Sequence, residues 1–201
     1  MEKLNLVKDR KFGENISMAF DFIKDNFAKT KTLIIYLIII AGIGGVLAGI
    51  PVAGSFLSPL VSIFAGILII SYTVSYMKLY VDSADGNINE EELKEKTKKY
   101  LVKLLLAGIV YGLAVFVGMI LLVIPGIYIA IAFLFYAFCI INDDLGIVDG
   151  LKRSNILVKN NWFVTLGYSI VIGLILGILS SVFSLVGTAL TFLGVIGTII
   201  G

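Results

Sequence analysis

Three long apolar blocks alternate with three polar segments along this chain. The blocks are residues 32–77, 104–142 and 160–201, and none contains a Lys, Arg, Asp or Glu. A membrane-crossing helix takes about 20 apolar residues at ~1.5 Å rise each. One helix made of the whole first block would be about 69 Å long, twice a hydrocarbon core of ~30 Å. Each block is therefore predicted to be a hairpin of two crossings. The first turns at Pro51-Val52-Ala53-Gly54-Ser55 and the second at Pro125-Gly126, because proline removes a backbone donor and Pro-Gly favours a turn. The third turns more softly between Ser184 and Thr188. Its outgoing arm, about 21 Å if helical, is too short to cross, so a sixth span cut short is expected there.

The polar segments carry their own periodicity. Phe12, Ile16, Ala19, Phe20, Ile23 and Phe27 fall at helical spacing and make one apolar stripe. Asn89 followed by Glu92 reads as a cap opening a short helix through Lys99. Ile147, Leu151, Ser154, Val158 and Trp162 form a weaker stripe. Phe22-Ile23-Lys24-Asp25-Asn26-Phe27 and Leu157-Val158-Lys159-Asn160-Asn161-Trp162 also match in kind, each just before an apolar block. The fold class expected is an all-α integral membrane protein of about six spans. It consists of three repeats of an amphipathic interfacial helix plus a transmembrane hairpin. The single domain divides as 1–31 and hairpin 32–77, 78–103 and hairpin 104–142, then 143–161 and hairpin 162–201.

Charge adds an orientation. All 16 Lys and Arg lie in the three polar segments, on one side of the predicted membrane, and the hairpin tips have none. Positive loops stay cytoplasmic, so the amino terminus is expected inside, in a prokaryotic plasma membrane. The 59% hydrophobic content and mean hydropathy of +1.03 fit a membrane domain rather than a soluble one. A net charge of +2 is too small for a nucleic-acid footprint. With no His and only Cys139, no cofactor or metal site is expected.

Little chemistry remains to be placed. Asp85-Gly86-Asn87 with Glu92 fails the calcium-loop pattern and reads as a turn and cap. Asp143 and Asp144 read as a solvated helix start. Ser71, Thr73, Ser75 and Tyr76 cluster near the inner end of the second predicted span and are candidates for a polar cavity. Ser180, Ser181 and Ser184 group in the fifth. Lys152, Arg153, Lys159 and Trp162 are candidates for lipid-headgroup contact. Small residues four apart, Gly45 and Gly49, Gly108 and Gly112, Gly173 and Gly177, suit close helix packing or a homo-oligomer. No ionisable group lies at mid-membrane depth, which disfavours an ion-coupled pump.

One stretch resembles a known family. Leu121-Leu122-Val123-Ile124-Pro125-Gly126-Ile127-Tyr128 leads to Asp143-Asp144, then to Gly150-Leu151-Lys152-Arg153-Ser154 and Leu157-Val158-Lys159-Asn160-Asn161-Trp162. Across about residues 118–165 this is similar to the six-span prokaryotic family related to the membrane domain of glycerophosphoryl diester phosphodiesterases. The resemblance implies a fold and a membrane address. It transfers no activity, since hydrolysis in that family belongs to a separate soluble domain. A basic residue common in the fourth span of relatives is missing here, where Ala132 and Phe133 stand. The function expected is a non-enzymatic inner-membrane protein that scaffolds a cytoplasmic or membrane protein partner or organises envelope lipid. The alternatives are transport or flipping of a lipid or apolar solute, and a membrane subunit beside a glycerophosphodiester-type hydrolase.

Overall fold

The computed structural model describes residues 11–27, 31–50 and 52–200, with the backbone alone at 12, 45, 48, 53, 179, 182–184 and 186–200. The described residues form eight α-helices and no strand. They are α1 (Phe12–Asn26), α2 (Lys31–Ala48), α3 (Ala53–Asp82), α4 (Glu90–Leu121), α5 (Val123–Ala132), α6 (Tyr136–Asn142), α7 (Ile147–Lys159) and α8 (Trp162–Ile200). The chain divides into two compact units, residues 1–154 and Asn155–Gly201. Among the described residues, Gly54–Asp82, Glu90–Leu121 and Val123–Asn142 are long and apolar enough to cross a membrane. The number reaches five if Gly13–Asn26 with Lys31–Gly44, and Ile147–Lys159 with Trp162–Ile178, each act as one bent span.

The first unit is built from antiparallel hairpins. The break between α2 and α3 lies after Ala48 and before Ala53, so it overlaps only the start of the predicted turn, and Ala53-Gly54-Ser55 already belong to α3. Gly44 and Val61 meet across it, a β-carbon at Gly44 lying 3.6 Å from Val61 Cγ1. In the next hairpin the turn is Leu122, which is extended at φ −163° and ψ 145°. Pro125 sits three residues later, inside the first turn of α5, where a missing N–H leaves no bond unmade. The pairs Gly118–Gly126 and Tyr100–Asp144 lie symmetrically about Leu122 and, with the Tyr111–Ala130 hydrogen bond between them, fix the antiparallel register. The approach at Gly126 is so close that a β-carbon there would stand 2.5 Å from Met119 Cγ and 2.8 Å from the Met119 nitrogen.

Two expectations need correction. The third block has no turn: α8 continues from Trp162 to Ile200, 39 residues and about 58 Å. Val186-Gly187 offers no proline, and a lone glycine costs a helix only ~1 kcal/mol, so the hydrogen-bond ladder runs on through Ser184 to Thr188. The second polar segment also lacks a separate interfacial helix. Asn89 does cap, accepting from the Glu91 N–H at 2.9 Å, but α4 then runs without a break into the apolar block. Tyr100-Leu101-Val102-Lys103 contains no breaker to stop it. Among the described residues, separate amphipathic helices therefore occur at α1 and α7 alone.

A further break was not foreseen. Between α5 and α6 the ladder is interrupted at Phe133-Leu134-Phe135. Ser154 of α7, fully buried, repairs it. Its hydroxyl donates to the Ala132 carbonyl at 2.9 Å and accepts from the Phe135 N–H at 3.1 Å. Gly150, one turn earlier on α7, lets Ile140 in; a β-carbon there would fall 2.4 Å from Ile140 Cγ1. The core around this join holds Leu104, Ala107, Tyr136, Ile140, Ile141 and Leu151, with Tyr111 stacked on Tyr136 at 5.3 Å.

Replacing Ser154 by Ala leaves two backbone groups unpartnered in a sealed site. The expected loss is about 1–3 kcal/mol of stability, read as a lowered melting temperature in detergent. A loss no larger in Ser154→Ala than in the exposed control Ser180→Ala would refute the repair role.

Candidate functional site

The charged residues of the first unit gather at one end. Tyr100, buried on α4, donates its hydroxyl to Asp144 Oδ1 at 2.8 Å. Lys99 Nζ and Lys103 Nζ approach the same carboxylate at 3.2 and 3.8 Å, and Lys103 Nζ also donates to the Leu145 carbonyl at 3.3 Å. Lys78 of α3 donates to the Asn142 carbonyl, and Arg153 pairs with Asp143 at 3.5 Å. The segments 78–103 and 142–153, far apart in sequence, are thus tied together at the ends of α3 and α6 and about three turns into α4.

This changes the reading of Asp143 and Asp144. They do not start a helix but follow α6, with Asp143 as its C-cap. Asp144 sits in left-handed backbone at φ 49°, a conformation an aspartate tolerates. The Tyr100 hydroxyl and the Lys99 ammonium hold its carboxyl below the ordinary value of 3.8. The two carboxylates are engaged in separate pairs rather than facing one another. No group of three or more metal-ligating side chains occurs among the described residues. The Asp85 turn closes on itself, Asn87 donating its backbone and side-chain N–H groups to Asp85 at 2.9 and 2.7 Å.

The four candidate cavity residues separate. Ser71 is fully buried and donates to the Thr97 carbonyl at 2.8 Å, joining α3 to α4. Ser75 is also fully buried, and its hydroxyl has no partner among the described residues. Thr73 and Tyr76 instead line a cavity of about 240 Å³ with Phe22, Asn26 and Leu33. Tyr76 donates to Asn26 Oδ1 at 2.8 Å, and Phe22 packs edge-on to Tyr80 at 5.0 Å. These contacts dock α1 on the charged end of α3. Of the predicted apolar stripe, Phe20, Ile23 and Phe27 stay exposed, while the side chain of Phe12 lies outside the described residues.

The other candidates fall in both units. Lys152 and Arg153 are exposed in the first, Arg153 being paired with Asp143. In the second, Lys159 is exposed and Trp162 packs edge-on to Phe163 at 5.0 Å. Ser181 returns its hydroxyl to the Gly177 carbonyl at 2.8 Å, and the side chain of Ser184 lies outside the described residues. Among the glycines, Gly108 lies close under the Tyr136 hydroxyl, a β-carbon there standing 3.4 Å away. Gly49 meets only the Val46 carbonyl of its own turn, while Gly112, Gly173 and Gly177 face open space. The surroundings of Gly45 lie outside the described residues. The tight contacts within helices belong to Gly118, Gly126 and Gly150, which follow no four-residue spacing and so escaped that pattern.

One site was missed altogether. A crevice of about 300 Å³ opens between α2, α3 and α4. Its walls include Tyr36, Ile40, Leu68, Tyr72 and Leu101, and Lys94 and Lys98 line it as well. The signal was present in α4, where positions 94, 97, 98 and 101 share one helical face. It was hidden because that stretch reads as a solvated run of charge.

Asp144 gives the charged end a pH dependence. A carboxyl whose folded pKa is depressed stabilises above its unfolded value and loses that contribution as pH falls through the folded one. The melting temperature should therefore drop as pH falls below 3.8, the ordinary value. Asp144→Asn should flatten that acid limb while Asp149→Asn keeps it; identical acid limbs in all three proteins would show the pairing to be inert.

No curated protein and no solved structure matches the chain. The model of a domain of unknown function, DUF7847, matches residues 30–199. That match covers α2 through nearly all of α8, the crevice and the tied charged end included, and the chain belongs to the DUF7847 family.

Proposed function

We propose that this protein resides in a prokaryotic plasma membrane, amino terminus inside, and organises membrane lipid there without catalysis. The observation that carries the reading is the joining of distant charged segments at one end of an otherwise apolar helical body. A body whose sides expose Ile38, Phe56, Phe64, Phe116 and Ile120 has a solvent-facing surface suited to hydrocarbon. The charged end carries the Lys and Arg that the positive-inside rule keeps in the cytoplasm. Exposed Phe20, Ile23 and Phe27 on α1 beside that end suit the headgroup boundary.

Kinship with the membrane domain of glycerophosphoryl diester phosphodiesterases, and a role beside such a hydrolase, rests on residues 118–165. The residues carrying that resemblance have a packing explanation. Gly126 allows α5 against α4, Gly150 allows α7 against α6, and Ser154 repairs the α5–α6 break. They support a shared helical arrangement, and the proposal extends no further than fold. Transport along Ser71 and Ser75 is the weaker alternative, because both side chains are sealed from solvent.

Cysteines placed at the two ends of α3 test residence and orientation. Cys139 is fully buried and adds little background. In intact cells an impermeant thiol reagent should modify Ser55→Cys, and should reach Ser83→Cys only after permeabilisation. The reverse pattern would overturn the orientation, and equal labelling of both would overturn the span. The lipid role predicts that protein extracted with native lipid carries a composition distinct from bulk membrane; a bulk composition would overturn it.

A further inference from the structure

We propose that the crevice between α2, α3 and α4 binds a lipid with an anionic headgroup, the phosphate at Lys94 and Lys98 and an acyl chain along Tyr36, Ile40 and Leu68. The proposal rests on the reading of the protein as a membrane-resident organiser of lipid, and it names the ligand class and the residues. The crevice volume of about 300 Å³ is at the lower end of the range for small-molecule sites. It suits part of an acyl chain rather than a whole lipid.

The charge is placed asymmetrically. The hydrogen bond from Ser71 to the Thr97 carbonyl sets the register of α3 against α4. Lys94 and Lys98 are one turn apart on the face of α4 that also holds Leu101, and both lie nearer than Leu101 to the N-terminus of α4, at the charged end of the crevice. Leu101 and Phe64 line it farther from that end. A long lysine stem can lie along apolar wall while its ammonium reaches a polar boundary. No carboxylate is among the lining residues. Lys98 has no ion-pair partner among the described residues. Lys94 meets Glu90 and Glu91 at 4.0 and 3.6 Å along its own helix, with both glutamates exposed. Exposed pairs of this kind contribute little, so the ammonium is available to a phosphate. The phenols of Tyr36 and Tyr72 make no hydrogen bond among the described residues and supply further donors to a phosphate or ester oxygen.

These features select among ligands. A soluble phosphate would meet two lysines but leave the apolar walls unused. A fatty chain with a neutral head would use the walls and ignore the lysines. A choline headgroup would bring its own cation against the two lysines that line the crevice. An anionic amphiphile satisfies both halves of the site.

The test reconstitutes the full chain in phosphatidylcholine nanodiscs holding a minor fraction of phosphatidylglycerol. Retained lipid is then quantified by mass spectrometry after mild extraction. Wild-type protein should retain phosphatidylglycerol in excess of its share. Lys94→Gln and Lys98→Gln should each lower that excess about fivefold, from ~1 kcal/mol per lysine near a lipid surface. Ile40→Trp, which fills the crevice and keeps both charges, should abolish retention at this site. Lys96→Gln removes the same charge from α4 away from the crevice and should leave the excess unchanged. Matching melting temperatures in pure phosphatidylcholine nanodiscs separate site loss from misfolding. Retention that survives both the double lysine variant and Ile40→Trp overturns this site while lipid organisation stands. Retention of phosphatidylcholine at this site with no excess of phosphatidylglycerol overturns the headgroup assignment. A wild-type protein that retains no lipid above bulk overturns the functional reading itself.

Discussion

Backbone hydrogen bonding inside an apolar body is the constraint on which the arrangement of the first unit depends. A peptide N–H or C=O removed from water without a partner costs free energy, so every interruption of a helix in such a body has to be closed by the protein. The interruption between α5 and α6 is closed by one hydroxyl, that of Ser154, which has a proton to give Ala132 and a lone pair to take from Phe135. An alanine or valine would pack there but could do neither. Because Ser154 is on α7, closing the break also fixes where the first part of α7 lies, and Gly150 permits the approach. Ser71 and Tyr111 act in the same way, donating to the carbonyls of Thr97 and Ala130 on neighbouring helices.

The same economy governs the charged end. Four groups from α3 and α4, Lys78, Lys99, Tyr100 and Lys103, share a small set of acceptors at the end of α6 and in the turn after it, Asp144 and the carbonyls of Asn142 and Leu145. Exposed ion pairs contribute little singly. Here they are anchored by Tyr100, whose ring is buried and whose hydroxyl is aimed at the carboxylate. Lys99 and Lys103 also lie 4.9 and 5.5 Å from the centre of that ring. The ring therefore positions the charges, and the charges hold the turn that leads to Gly150 and Ser154.

How much of this could be read from the chain follows from the range of each interaction. Helical class, the existence of a break between α2 and α3, the Asn89 cap and the separate helix α1 are local, set by composition and spacing within a few residues, and they were legible. The α4–α5 turn was misplaced by three residues because proline was read as a breaker, whereas it occupies the first turn of α5. The absent turn in α8 follows from the same rule seen from the other side: without proline nothing local forces a break. Ser154 was legible as one position in a stripe, but its partners lie 19 and 22 residues away and leave no periodic trace. Ser71 and Ser75 were grouped with Thr73 and Tyr76 by proximity in sequence. Helical geometry turns the first two into the packing and the others towards α1, which a count of polar residues does not resolve.

The crevice was invisible for a more instructive reason. Along the sequence, Lys94 and Lys98 sit among Glu90, Glu91, Glu92, Glu95, Lys96 and Lys99, and a charge-balanced run of this kind reads as a surface exposed to water. Only one face of that run is different in kind. Because α4 continues unbroken from its charged turns into its apolar ones, the face holding Lys94 and Lys98 also holds Leu101, and it meets Tyr36, Leu68 and Tyr72 from two other helices. Had α4 been broken after Lys99, as an interfacial helix followed by a separate span, the lysines would have been free to turn away from the apolar walls. The continuity that overturns the three-repeat expectation is thus the feature that sets two cations at the end of an apolar crevice. The amphiphilic site is a consequence of that uninterrupted helix, and no single residue type announces it.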